Sequence, residues 1–445
     1  MTGSTTASGA GTVGPAPSGS TRPASAGLAS VCPPEAPTTS ALARCIRVDR
    51  DEFARAYWSS QALLSRAAET DADFTDLISE AAVDELLSRR GLRTPFLRMA
   101  KEGKVISPSA YTRSGGSGAT IGDQVADDKV LRLVSEGATL VLQALHRTWP
   151  PLVDFGSTLA AEVGHPVQIN AYITPAQNQG FSAHYDTHDV FVLQVAGRKR
   201  WVISEPVLID PLPTQTWEQR AEAVAARAAE PPLLDVTLEP GDALYLPRGF
   251  LHSATALGEL SIHLTVGVHP VTRYALAQHL LTEAATGSGL RRSLPMGVDL
   301  ADPSVLAEQL SATAKALNGY AADADGALLR AVASRVESDL NRTTRPGPIA
   351  PLAQLAAVHA LSPQTELVLR PGLRASVTGG AADTITLRFL DEVLQLPATD
   401  EAAVKAILAG QPVTAAALPG LDGAAGLTLA RRLLTEAVLV PVPVI

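Results

Sequence analysis

The sequence lacks most of the features that stabilise secreted and membrane proteins. Its 445 residues contain two cysteines, Cys32 and Cys45, which are too few for the disulfide framework of a secreted scaffold. No apolar run reaches the roughly 18 residues that a membrane helix needs. The first residues show no basic region followed by an apolar stretch, so no secretory signal is expected. We therefore predict a cytoplasmic protein with reduced thiols.

The chain also has fewer basic than acidic side chains. The chain has 36 Lys and Arg against 45 Asp and Glu, a formal net charge of −9. Such a chain does not attract nucleic-acid phosphates, so direct DNA binding is not expected, whereas a basic partner would be attracted. Hydrophobic residues make up 46% of the chain, enough to bury cores in about two or three domains.

Composition and periodicity divide the chain into four segments. Residues 1–40 are rich in Gly, Ser and Pro and are predicted to be disordered. Residues 41–270 begin with helical patterns between Asp51 and Ala100 and continue, from Val167, with short strands of period two. Residues 271–345 are helical again, and residues 346–445 predict a small α+β module. The closely spaced strands indicate an antiparallel barrel or sandwich.

Two of these strand-like stretches carry possible metal ligands. "HYD" places His184 and Asp186 on one face, and "GDALYLPRGFLH" ends in His252 after a strand and a tight turn. Alone, the first pair is common at surfaces, and His252 could be a buried structural histidine. Together, two histidines and one carboxylate are the donor set of non-haem Fe(II) oxygenases. We therefore predict a metal site formed by His184, Asp186 and His252.

Lys199 follows the apolar stretch "VFVLQVAG". We expect the chain to reverse at Gly197 and to run back beside the metal strand, with Lys199 and Trp201 on one face. A lysine directed into a barrel needs an anion, and the carboxylate of a dicarboxylate co-substrate would supply it. The alternative is a solvated basic turn, "GRKR", which the spacing alone would favour.

Further polar residues flank the predicted site. Asn170 and Tyr172 lie two apart on an entering strand, where they could bind co-substrate or be structural. His188 and Asp189 are interpreted as rim residues. His263 could face the barrel interior near the metal, although a buried structural role is preferred.

The stretches "HYDTHDVFVLQVAGRKRW", "GDALYLPRGFLHSA" and "SIHLTVGV" resemble the JmjC-type cupin oxygenases, specifically the ribosomal oxygenase branch. The resemblance covers most of the chain after about residue 45. It implies an α+β fold with a double-stranded β-helix core over residues 41–270. It also implies a helical dimerisation region over residues 271–345, a winged-helix-like domain over residues 346–445, and therefore a homodimer.

The resemblance also implies roles for individual residues. Fe(II) would be bound by His184, Asp186 and His252, and the distal carboxylate of 2-oxoglutarate by Lys199. Asn170 and Tyr172 would line the pocket. With O2, the enzyme would hydroxylate a histidine or arginine of a basic ribosomal protein. The chain departs from the family pattern at "FSA" before His184, where family members carry a proline, and in an Ala-rich insertion over residues 214–230.

Two alternatives to this function stay open. The same chemistry could act on a peptide, a small metabolite or a methylated lysine, which would be demethylated. The chain could also be a cupin without catalytic activity that serves as an interaction module. The last segment, from Gly347, has six basic against eight acidic residues, so a partner-binding or packing role is preferred over DNA binding.

Overall fold

A computed structural model describes residues 40–118, 120–176, 178, 182–322, 326–380 and 383–442. The predicted disordered tail, residues 1–40, lies outside these ranges apart from Ser40. Within them, no helix is both long and apolar enough to cross a membrane.

The core of the first half is a nine-stranded sheet in which every strand pairing between described residues is antiparallel. Its order is β1-β10-β8-β11-β7-β6-β2-β3, with β9 beside β8 and with β4 and β5 as a separate pair. The strands are β1 (Leu63–Ser65), β2 (Leu97–Lys101), β3 (Lys104–Val105), β4 (Thr112–Arg113), β5 (Gln124–Val125), β6 (Thr139–Leu142), β7 (Val167–Thr174), β8 (Asp189–Ser204), β9 (Leu234–Leu238), β10 (Ala243–Leu246) and β11 (Leu251–Val268).

The two longest strands, β8 and β11, bend and so bring distant parts of the sheet together. The first half of β8 pairs with β10 and with the end of β11, and its second half pairs with β9 and with the start of β11. The bend in β8 lies at Gly197, whose φ is +62°. A Cβ there would lie 2.1 Å from the carbonyl oxygen of Leu260. The predicted chain reversal at Gly197 is therefore wrong, because β8 bends there and continues.

Both faces of this sheet are buried, and each belongs to a different hydrophobic core. Phe191 and Leu193 of β8 belong to the outer core, together with Ile169 of β7 and the helices that cover the sheet. Val190 and Val192 alternate with them and belong to an inner core. Since successive strand residues point to opposite faces, the inner face is available to line a cavity.

Seven α-helices among the described residues accompany this sheet: α1 (Arg50–Glu52), α2 (Ala67–Thr70), α3 (Glu80–Arg89), α4 (Asp127–Ser135), α5 (Leu145–Thr148), α6 (Pro150–Val163) and α7 (Ala221–Ala228). The helical prediction for residues 51–100 is partly wrong, because Leu63–Ser65 and Leu97–Lys101 are strands of the large sheet. Their pairing with distant strands overrides the local helical periodicity. Helix α7 lies in the Ala-rich insertion.

Three helices follow the sheet: α8 (Arg273–Ala284), α9 (Pro303–Ala322) and α10 (Ala327–Thr343). An ion pair of Glu283 with Arg335 links α8 to α10, and His279 Nε2 of α8 lies 3.1 Å from a carboxylate oxygen of Asp339 of α10. Several large apolar side chains of this region are exposed, namely Tyr274, Leu276, Leu281, Leu294, Met296, Leu300, Leu306, Leu310 and Leu329. The predicted dimerisation role stays a prediction.

The last segment has its own hydrophobic core. Its elements are α11 (Pro351–Ala360), β12 (Glu366–Leu369), β13 (Ala375–Gly379), β14 (Thr384–Phe389), β15 (Glu392–Pro397), α12 (Glu401–Leu408), β16 (Val413–Thr414), α13 (Gly423–Thr435) and β17 (Leu439–Pro441). The strands form two antiparallel sheets, β16-β12-β17 and β13-β14-β15. The winged-helix likeness stays a prediction.

Candidate active site

Three side chains with metal-binding atoms converge at the inner face of the sheet. His184 and Asp186 lie in the segment between β7 and β8, and His252 is the second residue of β11. The ligand atoms of the three residues all lie within 4.8 Å of one another. Asp186 Oδ2 lies 3.7 Å from His252 Nε2. This cluster is the set of residues predicted as metal ligands.

The local backbone explains the convergence. His184 and His252 form a single antiparallel bridge, in which each backbone N–H donates to the other's carbonyl, at 3.2 and 2.8 Å. The turn before β11 is fixed to the same segment, because the Gly249 N–H donates to the Asp186 carbonyl. Tyr185 points away, and its hydroxyl donates to the carbonyl of Gln215 at 2.8 Å. His184 and Asp186 therefore share a side without belonging to a regular strand.

The tautomer of each histidine follows from its hydrogen bond. His184 Nδ1 lies 2.7 Å from the carbonyl oxygen of Ser182, and His252 Nδ1 lies 3.2 Å from that of Phe250. A carbonyl oxygen only accepts, so each Nδ1 carries a proton, and Nε2 is the ring nitrogen of each histidine that would bind a metal. Burial first, and then the neighbouring His184, lower the pKa of His252 to about 4. The imidazole of His252 is thus neutral, which is its metal-binding form.

The carboxylate of Asp186 is held in its ionised form. Burial opposes its charge, but the neighbouring His188, His252 and His184 outweigh burial and hold the pKa of this carboxyl below its ordinary value. An anionic oxygen beside two imidazole nitrogens is a donor set that suits Fe(II). The residues present therefore fit a divalent metal by their chemistry and by their mutual distances.

These groups line a cavity of about 570 Å³ that is partly open to solvent. Its wall is formed by residues of four strands and of the segment before β8, namely Tyr172, His184, Asp186, Val190, Val192, Lys199, Trp201, Leu246, His252, Ser253, Ala254, His263 and Thr265. Most of the polar groups belong to β8 and β11, the two strands that bend. The bends therefore bring the metal ligands and Lys199 into one cavity.

Lys199 is 3% exposed and forms no ion pair with any described residue. Its Nζ donates to the hydroxyl of Thr174 at 3.1 Å and lies 6.0 Å from the ring centroid of Trp201. Burial lowers the pKa of Lys199 to about 7. A buried amine beside one hydroxyl and no carboxylate is suited to an anionic ligand.

His263 and Trp201 add two polar atoms to the same wall. His263 stacks on Tyr172 with 5.0 Å between ring centroids and meets Trp201 edge-on at 5.4 Å. His263 Nδ1 and Trp201 Nε1 are buried and have no hydrogen-bond partner among the described residues. Burial first, and then Lys199 and His252, place the pKa of His263 well below its ordinary value. Unpaired polar atoms of this kind indicate a ligand in the cavity.

Tyr172 lines the cavity, but Asn170 does not. Burial first, and then the Asp186 carboxylate, raise the pKa of Tyr172, so its phenol is a neutral hydrogen-bond donor. The Oδ1 of Asn170 accepts from the backbone N–H of Ala144, before α5, at 3.0 Å. Asn170 is thus engaged in fixing a turn, although it lies on the same strand as Tyr172.

His188 and Asp189 lie outside the group of metal-binding atoms. The interpretation of Asp189 as a rim residue is wrong, because its side chain is 0% exposed. Its carboxylate accepts from the hydroxyls of Ser59 and Tyr245, at 3.0 and 2.8 Å, and from the backbone of Arg248 at 3.0 Å. Asp189 joins the N-terminal segment to the sheet, which is a structural role.

The sequence predicted no role for Thr174, which contacts Lys199, or for Trp201 in the cavity wall. Thr174 follows Asn170 and Tyr172 at the same spacing of two on β7, so strand periodicity could have identified it. Trp201 was placed on the face of Lys199 without a role. Its indole N–H is available to a ligand only because no carbonyl of the bent sheet approaches it, which local sequence does not reveal.

Residues 155–276 match the JmjC domain family. Over 264 residues, or 56% of this chain, the sequence is 28% identical to the bifunctional lysine-specific demethylase and histidyl-hydroxylase NO66 of Aedes aegypti. Over 144 residues, or 31% of this chain, it is 35% identical to ribosomal oxygenase 1 of Rattus norvegicus. The matched segments span 38% and 23% of those relatives' lengths.

A solved structure extends the likeness along the chain. The Escherichia coli ribosomal oxygenase YcfD superposes with a TM-score of 0.51 and 18% sequence identity, covering 89% of this chain and 98% of that one. At this identity the likeness establishes the fold alone. The predicted JmjC cupin fold, with mixed helix and sheet, is confirmed.

Proposed function

We propose that this chain, which carries a JmjC domain and is ribosomal oxygenase-like, is an Fe(II)- and 2-oxoglutarate-dependent oxygenase that hydroxylates a side chain of a protein. The observation that carries the proposal is the presence of His184, Asp186 and His252 in the same cavity as the buried Lys199. The first three residues suit a divalent metal, and the fourth suits a carboxylate.

Iron would be held by Nε2 of His184 and His252 and by the carboxylate of Asp186. Bound iron supplies the activation of O2 that oxidises a C–H bond, while 2-oxoglutarate is converted to succinate and CO2. The protein contributes pre-set tautomers, because the carbonyls of Ser182 and Phe250 keep both Nδ1 atoms protonated. A YcfD structure that holds cobalt and succinic acid supports a divalent metal and a dicarboxylate in this fold.

Lys199 would bind the distal carboxylate of 2-oxoglutarate. A charge-assisted hydrogen bond of this kind contributes about 1.5–3 kcal/mol. The Trp201 indole N–H is available as a further donor beside it. The carboxylate would also restore the charge of Lys199, since an anion nearby favours the protonated amine and offsets its burial.

Val190, Val192, Leu246 and Ala254 contribute apolar side chains to the cavity wall. Such a wall limits the water beside the ligands and lowers the local dielectric constant, which strengthens the contact between Lys199 and a bound anion. The cavity is partly open to solvent, and a side chain of the protein substrate would enter through this opening.

We assign the substrate to a basic ribosomal protein, with histidine or arginine as the hydroxylated residue. The relatives named histidyl-hydroxylase and ribosomal oxygenase support this class. The net charge of −9 is complementary to a basic protein and would favour its association. The location would be cytoplasmic, and the exposed apolar side chains of α8, α9 and α10 would join two copies into a homodimer.

Demethylation of a methylated lysine is the second candidate. One specific observation favours it, which is the name lysine-specific demethylase carried by several relatives. It would use the same iron and 2-oxoglutarate sites. A non-catalytic module is disfavoured by Lys199, because a chain without a co-substrate has no use for an amine whose burial opposes its charge.

Succinate formation by the purified protein with Fe(II), 2-oxoglutarate and O2 tests the chemistry. We expect turnover that requires iron and is lost in His184→Ala, whereas a variant of an exposed histidine, His359→Ala, keeps it. Turnover that persists in His184→Ala would contradict the assigned ligands.

Mass spectrometry tests the substrate. Ribosomal proteins from cells with and without the gene are compared for a peptide heavier by one oxygen atom on histidine or arginine. Loss of a methyl group from lysine would instead select the second candidate. If neither change depends on the gene, a ribosomal substrate is excluded.

A further inference from the structure

A second concave surface lies on the outer side of the sheet. It is an open groove of about 1230 Å³ between α3 and α4. Its floor combines apolar side chains of both helices with those of three strands, namely Val83, Val130, Leu140, Ile173 and Ile262. We call this surface the acidic groove, because of the charges at its edge.

Four carboxylates line the acidic groove: Glu80 and Asp84 on α3, and Asp127 and Asp128 on α4. Asp128 forms an ion pair with Arg113 at 2.5 Å. The other three have no ion pair with a described residue, and no Lys, Arg or His belongs to the described residues that line the groove. Three uncompensated negative charges thus surround an apolar floor.

Two large apolar side chains stand at the edge of this groove. Leu131 of α4 is 70% exposed, and Leu260 at the irregular part of β11 is 36% exposed. Exposed leucines beside a concave apolar floor are typical of surfaces that bind another chain. Aliphatic side chains flanked by Lys or Arg would match both the floor and the rim.

We propose that the acidic groove docks a Lys/Arg-rich segment of the protein substrate, at a distance from the residue that is hydroxylated. The inference rests on the proposed function. The occupant is chosen by charge, since a rim with three carboxylates outside any ion pair of the described residues repels an acidic segment and attracts a basic one. A second copy of this acidic chain is a poorer match.

The position of the groove connects it to the catalytic cavity. Ile173 and Ile262 form part of its floor, and their chain neighbours Tyr172 and His263 line the cavity. Because successive strand residues point to opposite faces, one layer of sheet separates the two sites. A substrate segment held in the groove would therefore keep the rest of that substrate near the cavity and raise its effective concentration there.

The test uses the full chain and a fluorescent amphipathic peptide of leucine and lysine, with a leucine–glutamate peptide of the same pattern as control. We expect only the basic peptide to bind, with affinity that falls as salt rises. Asp84→Asn with Asp127→Asn should weaken binding on the order of tenfold. The matched variant, Glu366→Gln with Glu392→Gln, removes two exposed charges from the last segment and should bind like the parent protein. If the two variants bind the basic peptide equally well, or lose affinity for it equally, the proposal that the groove binds this peptide is contradicted.

A second measurement separates this proposal from the proposed function. Succinate formation is followed as a mixture of ribosomal proteins is added. The groove variant should need roughly tenfold more protein for half-maximal stimulation, with unchanged turnover in the absence of protein. If that variant needs the same protein concentration for half-maximal stimulation as the parent protein, the groove is not the docking site. The proposed oxygenase activity would be unaffected by that result. If the parent protein forms no succinate under any condition, the proposed function fails, whatever the peptide does.

Discussion

Replacing Lys199 by methionine should stabilise the metal-free protein while it removes the affinity for 2-oxoglutarate. Lys199 is buried beside the Thr174 hydroxyl without a counter-ion among the described residues, and burial lowers its pKa from 10.5 to about 7. In the unfolded chain, this amine stays protonated up to its ordinary pKa. The folded protein therefore binds fewer protons than the unfolded chain between about pH 7 and 10.5, and its stability rises with pH across that range.

The size of the effect follows from the two pKa values. At about 1.4 kcal/mol per tenfold change in protonation, the burial of Lys199 opposes folding by up to roughly 5 kcal/mol at about pH 6.5. The same calculation gives roughly 3 kcal/mol at about pH 8 and roughly 1 kcal/mol at about pH 9.5. Methionine has a similar length and no charge, so we expect a gain of about 1–4 kcal/mol at the lowest pH.

Urea denaturation of the metal-free protein at these three pH values measures the gain. The difference between Lys199→Met and the parent protein should shrink as pH rises, whereas the exposed Lys104, replaced in the same way, should give a small and constant difference. Calorimetric titration should show that Lys199→Met binds 2-oxoglutarate roughly 10- to 150-fold more weakly. A variant that is less stable at every pH, or a difference that does not vary with pH, would refute the reasoning about Lys199.

Three other changes test single features. Asp186→Ala should abolish Co(II) binding in a calorimetric titration while the protein stays folded by circular dichroism, and retained binding would exclude Asp186 as a ligand. Gly197→Ala should lower the free energy of unfolding by about 2–5 kcal/mol because its Cβ would meet a carbonyl oxygen, whereas Gly258→Ala, with φ +73° and open space, should lose only about 1 kcal/mol. Asp189→Asn should lower the free energy of unfolding by about 3–5 kcal/mol. Asp235 belongs to an exposed ion pair, so Asp235→Asn should lower it by less than about 1 kcal/mol. Equal costs within either pair, measured by urea denaturation, would contradict its assignment.

The spacing of the proposed metal ligands could be read from the sequence because it depends on local geometry. A histidine and an aspartate two residues apart share a side in any extended segment, whether a ladder or a single bridge holds it. That is why His184 and Asp186 lie together although the segment is not a regular strand. Likewise, Lys199 and Trp201 share a face because the strand periodicity continues beyond the bend at Gly197.

The bend itself could not be predicted, because it depends on the partner strand. A glycine after an apolar strand usually indicates a hairpin, and the shift in register that lets β8 continue lies in β11, between Leu257 and Ile262. The same limit explains the short strand Leu63–Ser65. Its leucines fit a helix by periodicity, but Tyr245 and its neighbours in β10 pair with it from far along the chain.

The residues that sequence rules describe least well are those of the cavity. Lys199 lacks a carboxylate partner within the described part of the chain, and the buried nitrogens of Trp201 and His263 lack hydrogen-bond partners there. Each of these features opposes folding. Asp189 is equally buried, yet its carboxylate is fully bonded, so burial of charge in this sheet does not by itself leave groups unpaired. Local rules are expected to fail where function requires it. Lys199, Trp201 and His263 lie together in the wall of one cavity. An anionic ligand with several acceptors would satisfy Lys199 and Trp201 at once, so for these two groups the cost to folding and the affinity for the ligand have the same origin.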